Sequence, residues 1–336
     1  MADSILVTGG AGFVGSHIVV ELARTGHAPV MLDNFGNSTP AIRTRLEALA
    51  GRPVPCVSAD VRDLTALRAA FHDHPITAVV HCAGLKDVAE SEERPLAYYD
   101  VNVGGMLALA EVMGEAGVAT LVFGSSAGVY GDADDLSVTE GAAPKPASVY
   151  GRTKRVVEDF LRDLARANAN WRIAIVRKFN AAGAHSSAMM GEASRGRSMH
   201  LIPQLCRVAA GEASEVIVHG DDWDTPDGTG VRDYVHVQDL ADGFVRALRY
   251  AAVNPGLLTV NLGSGEGHSV LGVLAAFERA CGRSLPRVVG PRRPGDVAGY
   301  AADVTRAASV LDWRPTRNLD AICADAWRWQ KMGGHY

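Results

Sequence analysis

The chain is predicted to fold as an α/β protein built on a doubly wound parallel sheet. Three observations support this. Short apolar runs alternate with helix-period stretches through the first half. A glycine-rich turn, Gly9-Gly10-Ala11-Gly12-Phe13-Val14-Gly15, joins the first apolar run to the first helical stretch. The second apolar run ends on an acid, Asp33.

Taken in order, Ser4 to Thr8 is the first strand, Ser16 to Thr25 the first helix, and Pro29 to Leu32 the second strand. Gly9, Gly12 and Gly15 have G-x-x-G-x-x-G spacing, a relative of the dinucleotide fingerprint. A glycine repeat by itself reads as a flexible turn. Here a strand precedes it, a helix follows, and Asp33 closes the unit. The glycines allow a tight turn and let a pyrophosphate approach the free N–H groups at the helix N-terminus. The Asp33 carboxylate suits both hydroxyls of an adenosine ribose and repels a 2′-phosphate, so NAD is favoured over NADP. Further strands are expected at Val54–Ser58, Ala78–Cys82, Thr120–Ser125 and Arg172–Val176. Helices are expected at Leu64–His72, Leu96–Ala116 and Val149–Asn168, with His72, His74 and Pro75 marking a helix end. This alternation gives a Rossmann-type sheet whose strand C-termini line the ligand crevice. Asp60-Val61, Ala83-Gly84-Leu85-Lys86 and Ser125-Ser126 fall at such ends.

Composition narrows the class. The 336 residues are 47% hydrophobic and 21% charged, as in ordinary globular proteins. A net charge of -5 argues against nucleic acid and anionic membranes as partners. No apolar run reaches the length of a membrane helix. Met1-Ala2-Asp3-Ser4 shows no basic-then-apolar leader pattern. The five cysteines, Cys56, Cys82, Cys206, Cys281 and Cys323, include no Cys-x-x-Cys pair. They suit a reduced, cytoplasmic setting and read as small buried residues. His200 and His219 lack a zinc-site spacing, so no metal is expected.

The chemistry centres on Tyr150-Gly151-Arg152-Thr153-Lys154. On a helix, Tyr150 and Lys154 share a face one turn apart. An ammonium beside a phenol favours the phenolate, making the Tyr a base nearer neutral pH. Ser126, at a strand end, would hold the oxygen being deprotonated. Each residue alone is ordinary; together behind a nucleotide turn they are not.

With this Ser…Tyr-x-x-x-Lys set the chain resembles the extended short-chain dehydrogenase/reductases, and among them the UDP-glucose 4-epimerase family. The resemblance rests on Thr8 to His17, Asp33-Asn34, Ala83 to Lys86, Val129-Tyr130-Gly131 and Tyr150-Gly151-x-x-Lys154. It continues through Phe179-Asn180, Gly183-Ala184-His185, the long run Asp227 to Val237, Asp239-Leu240-Ala241, Arg293-x-Gly295-Asp296 and Asp312-Trp313. It implies a fold of two parts: an NAD-binding Rossmann-type domain at 1–180, also receiving segments near 231–263, and a smaller C-terminal α/β domain at 181–336 that binds the UDP-sugar. It implies that Tyr150 takes the proton of the sugar 4-hydroxyl while the C4 hydride passes to NAD. The 4-keto sugar then turns over and receives the hydride on its other face. The nicotinamide presents one fixed face, so inversion requires the sugar to rotate.

The resemblance also distributes roles. Phe13, Val14, Asn34, Ala83, Gly84, Lys86, Asn102 and Phe179 would join the glycines, Asp33, Tyr150 and Lys154 at the cofactor, with Asp60 and Val61 at the adenine. Asn180, Arg232 and Arg293 would bind the diphosphate, a job suited to planar guanidinium forks. Asp296 would take the uridine ribose. Lys86, His200, Leu201, His219, Tyr234 and Tyr300 complete the substrate set. Tyr300, four residues after Asp296, would crowd the sugar 2-position and favour UDP-glucose and UDP-galactose over N-acetylated sugars. Four positions depart from the family: Gly128 replaces a Thr, Lys178 and His219 replace aromatics, and His200 replaces an Asn. Nucleotide-sugar 4,6-dehydratases carry an Asp-Glu pair where this chain has Ala127-Gly128, and decarboxylases a Glu at the second position, so both lack their acid/base here. A non-catalytic NAD sensor would usually lose the Tyr or the Lys. Apolar excess at Met106, Leu109, Met113, Phe160 and Leu164 fits a homodimer built through two helices, as in relatives, or internal packing.

Overall fold

A computed structural model describes residues 3–131, 137–193, 200–293 and 295–334. Met1-Ala2, part of the segment read above as lacking a leader pattern, lies outside them.

The chain opens with β1 (Ser4–Thr8), α1 (Phe13–Arg24), β2 (Ala28–Asp33), α2 (Ile42–Ala50), β3 (Cys56–Ser58), α3 (Leu64–Asp73) and β4 (Ile76–His81). After β4 come α4 (Val88–Glu93), α5 (Pro95–Tyr99), a π-helical turn over Asp100–Gly104, α6 (Gly105–Glu115) and β5 (Thr120–Ser126). Next are the two-residue β6 (Ser137–Val138), α7 (Val149–Ala167), β7 (Arg172–Lys178) and β8 (Asn180–Ala182). The second half supplies α8 (Leu201–Ala210), β9 (Val216–His219), β10 (Val231–His236), α9 (Val237–Val253) and β11 (Gly256–Leu262). It ends with β12 (Gly267–Ser269), α10 (Val270–Cys281), β13 (Arg287–Gly290), β14 (Gly299–Ala302), α11 (Thr305–Leu311) and α12 (Leu319–Lys331).

Seven strands form one parallel sheet in the order β11-β7-β5-β4-β1-β2-β3. Chain direction across the sheet reverses between β1 and β4, where the strand C-termini open a crevice. Both faces are buried. One face packs α1, α2, α9 and α11 through Ile18, Leu22, Leu46, Phe244 and Leu311; the other packs α3, α6 and α7 through Leu67, Leu109, Val157 and Leu161. Continuous apolar strands such as Ser4–Thr8, buried throughout, are what two-sided cover demands. The seventh strand, β11, comes from beyond residue 250 and pairs along its whole length with β7. A second sheet orders β12-β10-β14-β6, with β8 also on β10, and β9 pairs with β13. Beside it α8, α10 and α12 share a core around Leu205, Phe277 and Ile322.

Several expected boundaries move. The first helix begins at Phe13, not Ser16, because the glycine turn leads straight into it. The helix expected over Leu96–Ala116 is broken by the π-turn, which carries Asn102 toward the crevice. Such bulges favour functional sites. Met106, Leu109 and Met113, weighed above as interface residues, are fully buried in the sheet core. Phe160 and Leu164 also lean on that core. The exposed apolar side chains of those helices are others: Leu96 (83%), Leu107, Val156 and Tyr99.

Candidate active site

A cavity of about 360 Å³ runs from the glycine turn to the second sheet. Its wall includes Phe13, Lys86, Ser126, Tyr150, Lys178 and Arg232.

The dinucleotide end is made of backbone. Gly9 has a φ of +68°, a left-handed value, and a Cβ there would lie 2.6 Å from Ala83 N. A Cβ on Gly15 would lie 2.1 Å from Gly9 O, so only glycine lets α1 start this close to the turn. No side chain caps α1 at Gly12, which leaves its first N–H groups turned to the crevice. The Asp33 carboxylate accepts from Ala11 N at 2.9 Å and Phe35 N at 2.8 Å. It thereby stands beside the turn with lone pairs to spare, and burial raises its pKa. These residues fit NAD: an uncapped helix end for the pyrophosphate and a carboxylate for the ribose. Asn34 donates to Asp60 at 2.9 Å, and Arg62 grips the same carboxylate, holding Asp60 well below the usual range. Val61 is buried, its side chain against Gly105.

Tyr150 is placed by the start of α7. The orphan N–H groups there are satisfied from outside the helix: Gly151 N by the Ser148 hydroxyl (3.1 Å), Tyr150 N by Ser91 (3.1 Å) and Val149 N by Glu92 (2.6 Å). The phenol is buried, and the Ser126 hydroxyl lines the same cavity beside it. One turn on, the Lys154 ammonium donates to Gly124 O at 3.0 Å and lies 5.9 Å from the Tyr150 ring centre. Burial alone would raise the phenol's pKa. The ammonium charges of Lys178 and Lys154, the neighbouring Ser126 hydroxyl and Lys86 outweigh it and bring it down to about 8. Asn102 braces this corner: it exchanges hydrogen bonds with the Leu85 backbone and donates to Thr153 at 3.0 Å. Its amide is spent on Ala83-Gly84-Leu85 and α7, so it shapes the cofactor crevice from behind.

The far end is made of side chains. Arg293 Nε donates to Asp296 at 2.9 Å, and Arg232 approaches the same carboxylate at 3.5 Å while donating to Val231 O and Val297 O. Tyr300 pairs in register with Arg232 across β14 and β10, and its hydroxyl donates to Ala127 O at 2.8 Å. Its ring is wedged edge-on against Phe179 and Tyr130. Asn180 and Tyr234 line the wall beside them, and Leu201 starts α8 there with its N–H groups turned to the cavity. His219 stands on the wall with its Nδ1 3.2 Å from Pro291 O. Of the residues the sequence points to, Phe13, Val14, Lys86, Ser126, Tyr150, Phe179 and the rest of the substrate set line this cavity, whereas the three glycines, Asp33, Asn34, Asp60, Val61, Ala83, Gly84, Asn102 and Lys154 are not on its wall.

Three wall residues were not given roles from sequence. Glu192, its side chain 8% exposed, accepts from Lys86 at 3.1 Å and from His200 at 2.8 Å; burial would raise its pKa, but these two partners bring it down to about 2. Trp223 lies beside His219, with Arg292 over its ring at 4.0 Å. Lys178 was noted only as a departure. Glu192 and Trp223 carry no local sequence signal; Lys178's signal is its place at the C-terminal end of a sheet strand.

Comparison with known proteins agrees with this geometry. Residues 5–263 match the model of the NAD dependent epimerase/dehydratase family. A curated protein from Yersinia pestis named UDP-glucose 4-epimerase is 47% identical over 327 residues, covering 97% of each chain. A UDP-glucose 4-epimerase from Bifidobacterium longum, solved with NAD+ and UDP, superimposes with a TM-score of 0.96 at 42% identity, covering 98% of this chain and 99% of that one. A UDP-glucose-4-epimerase from Stenotrophomonas maltophila, solved with NAD and formylated UDP-arabinopyranose, has a TM-score of 0.96 at 45% identity and 99% cover of both chains.

Proposed function

This chain belongs to the NAD dependent epimerase/dehydratase family, and from that premise we propose that it interconverts UDP-galactose and UDP-glucose by inverting C4. The observation that carries the proposal is Tyr150: a buried phenol beside Ser126, one turn from Lys154, with a pKa of about 8. NAD, when bound, supplies reversible uptake of the C4 hydride. Ser126 holds the 4-oxygen while the Tyr150 phenolate takes its proton, and the phenol returns the proton to the alkoxide of the inverted sugar. Arg232, Arg293 and the α8 N-terminus anchor the diphosphate while the 4-keto sugar turns in the cavity. Ala127 and Gly128 offer no carboxylate beside that sugar, which speaks against dehydration. The wedged Tyr300 ring favours glucose and galactose over N-acetylated sugars.

Residues 1–180 with segments near 231–263 are read as the NAD domain, and 181–336 as the sugar-nucleotide domain. The exposed Leu96, Tyr99, Leu107 and Val156 on α5, α6 and α7 support a homodimer. Among the described residues no helix is long and apolar enough to cross a membrane, and all five cysteines are free. Those free thiols support placement in the cytoplasm.

The test is to supply UDP-galactose to the purified protein and resolve UDP-glucose by chromatography. Tyr150→Phe should keep the fold and NAD while losing roughly 10²- to 10⁴-fold in kcat. Absence of turnover by the wild type with NAD bound would refute the proposal.

A further inference from the structure

We propose that Lys178 is a second cationic partner of the Tyr150 phenol, a positioning residue that shares with Lys154 the task of holding it as phenolate. The inference rests on Tyr150 being the acid/base of the reaction proposed above. Lys178 is the last residue of β7 and pairs in parallel register with Ser126 at the end of β5. Laterally paired residues of a parallel sheet project from the same face. Lys178 therefore leaves the sheet on the side from which Ser126 meets the phenol, and it lines the same cavity.

The cations of this corner differ in how they are engaged. Lys154 donates to Gly124 O, and Lys86 is held by Glu192. Among the described residues no hydrogen bond or ion pair engages the Lys178 ammonium. It is half-buried, so its field at the phenol is only partly screened. Lys178 also acts on Lys154, whose pKa is lowered by burial and by that neighbour. The Lys178 and Lys154 ammonium groups repel each other. A proton leaving Tyr150 places a negative charge beside both and relieves that repulsion. The fold thus stores the repulsion in the phenol state and releases it in the phenolate state.

Other titratable groups lie around this corner. From the loop after β4 come Lys86 and the Cys82 thiol, itself pushed up to about 11 by burial. From α5 comes Tyr98, bonded to Glu90 and the Asp87 carbonyl. Glu92 on α4 holds the backbone of Val149. Glu158 and His81 sit beyond Lys154. Among these the cations that lower the phenol's pKa are Lys178, Lys154 and Lys86. The step being tuned is one proton transfer: the sugar O–H bond breaks as the phenol O–H bond forms, and both lysines keep their protons. A lower phenol pKa raises the fraction of base at moderate pH and weakens that base. The acidic limb of the rate profile therefore moves down in pH.

The experiment compares wild type, Lys178→Met, Lys178→Gln and Lys178→Arg, purified with NAD. Ultraviolet difference titration reads phenolate formation, and a parallel Tyr150→Phe titration identifies which of the eight tyrosines is responsible. The Met and Gln variants should raise the Tyr150 midpoint by about one pH unit and move the acidic limb of kcat/KM up equally, with Arg restoring most of both. Below the limb that amounts to a loss of roughly tenfold in kcat/KM. If both neutral variants remain folded and keep the wild-type midpoint, the proposal is overturned. It is also overturned if rates fall equally at every pH with no shift of the limb. The phenolate titration does not depend on turnover, so a failure of the UDP-galactose assay leaves it readable.

Discussion

The two ends of the cavity are built on different principles. At the glycine turn the ligand-facing atoms are backbone N–H groups, and their places follow from a +68° φ at Gly9 and the close pass of Gly15 over Gly9 O. Little there has to move. At the β10–β14 wall the ligand-facing atoms belong to Arg232 and Arg293, and both are turned to a protein carboxylate, Asp296. These side chains are 20–35% exposed, so their pairing is screened and readily exchanged. One end is a mould; the other is a set of arms holding a stand-in anion. A resident cofactor suits the first, and a substrate that must enter, turn and leave suits the second.

The sharpest way to break this contrast is Gly15→Ala. A Cβ 2.1 Å from Gly9 O cannot be accommodated by a side-chain rotation, so the turn itself must shift. Overpacking of this kind costs about 1–3 kcal/mol. NAD affinity, read by fluorescence titration on the cofactor-stripped protein, should fall about 30-fold or more, while UDP affinity stays within about twofold. Unchanged NAD binding would show that the turn is not the mould described.

Arg232→Ala probes the other end with a smaller effect. Hydrogen bonds to charged groups are worth about 1.5–3 kcal/mol, less what is recovered from releasing Asp296. KM for UDP-galactose should rise about 10- to 30-fold with NAD affinity intact. UDP affinity should also fall more steeply with salt in the wild type than in the variant. An equal loss of NAD and UDP would mean the two ends are one structural unit.

The same contrast explains what could be read from sequence. β1 was legible to the residue, and the Gly9–Gly15 turn with Asp33 was legible as a site, because backbone geometry forces glycine and acid into a fixed local spacing. Tyr150 and Lys154 were legible for the same reason, being one helical turn apart. The second half yielded motifs but no elements. Its strands are short, and β10 finds partners 38 residues on, at Ser269, and 68 residues on, at Gly299. No local period announces such pairings. Lys178 was visible as an oddity, but its proximity to Tyr150 depends on the register of β5 against β7. Glu192 meets Lys86 across 106 residues of chain, a contact only tertiary structure creates. Met106, Leu109 and Met113 show the converse failure. Helix periodicity marks a residue as apolar-facing and does not say whether the sheet or another subunit covers it.

Tyr300 belongs to neither class and supplies the smallest and most discriminating test. It sits on the side-chain-built wall, yet it is as immobile as the turn. Its hydroxyl donates to Ala127 O, and its ring lies 6.0 Å from Phe179 and 6.3 Å from Tyr130, centre to centre. Two substitutions separate the ring from the hydroxyl. Tyr300→Phe removes one neutral hydrogen bond, worth about 1 kcal/mol, so it should lower Tm by a few degrees and leave sugar preference alone. Tyr300→Ser removes the ring and, with the sugar placed as proposed, should open space at its 2-position. UDP-N-acetylglucosamine turnover relative to UDP-glucose should then improve by about 1 kcal/mol, roughly fivefold. If Tyr300→Phe changed the preference instead, the hydrogen bond to Ala127, and through it the placement of Ser126 next door, would be setting the pocket. The immobile part of the wall would then be its backbone, as at the turn.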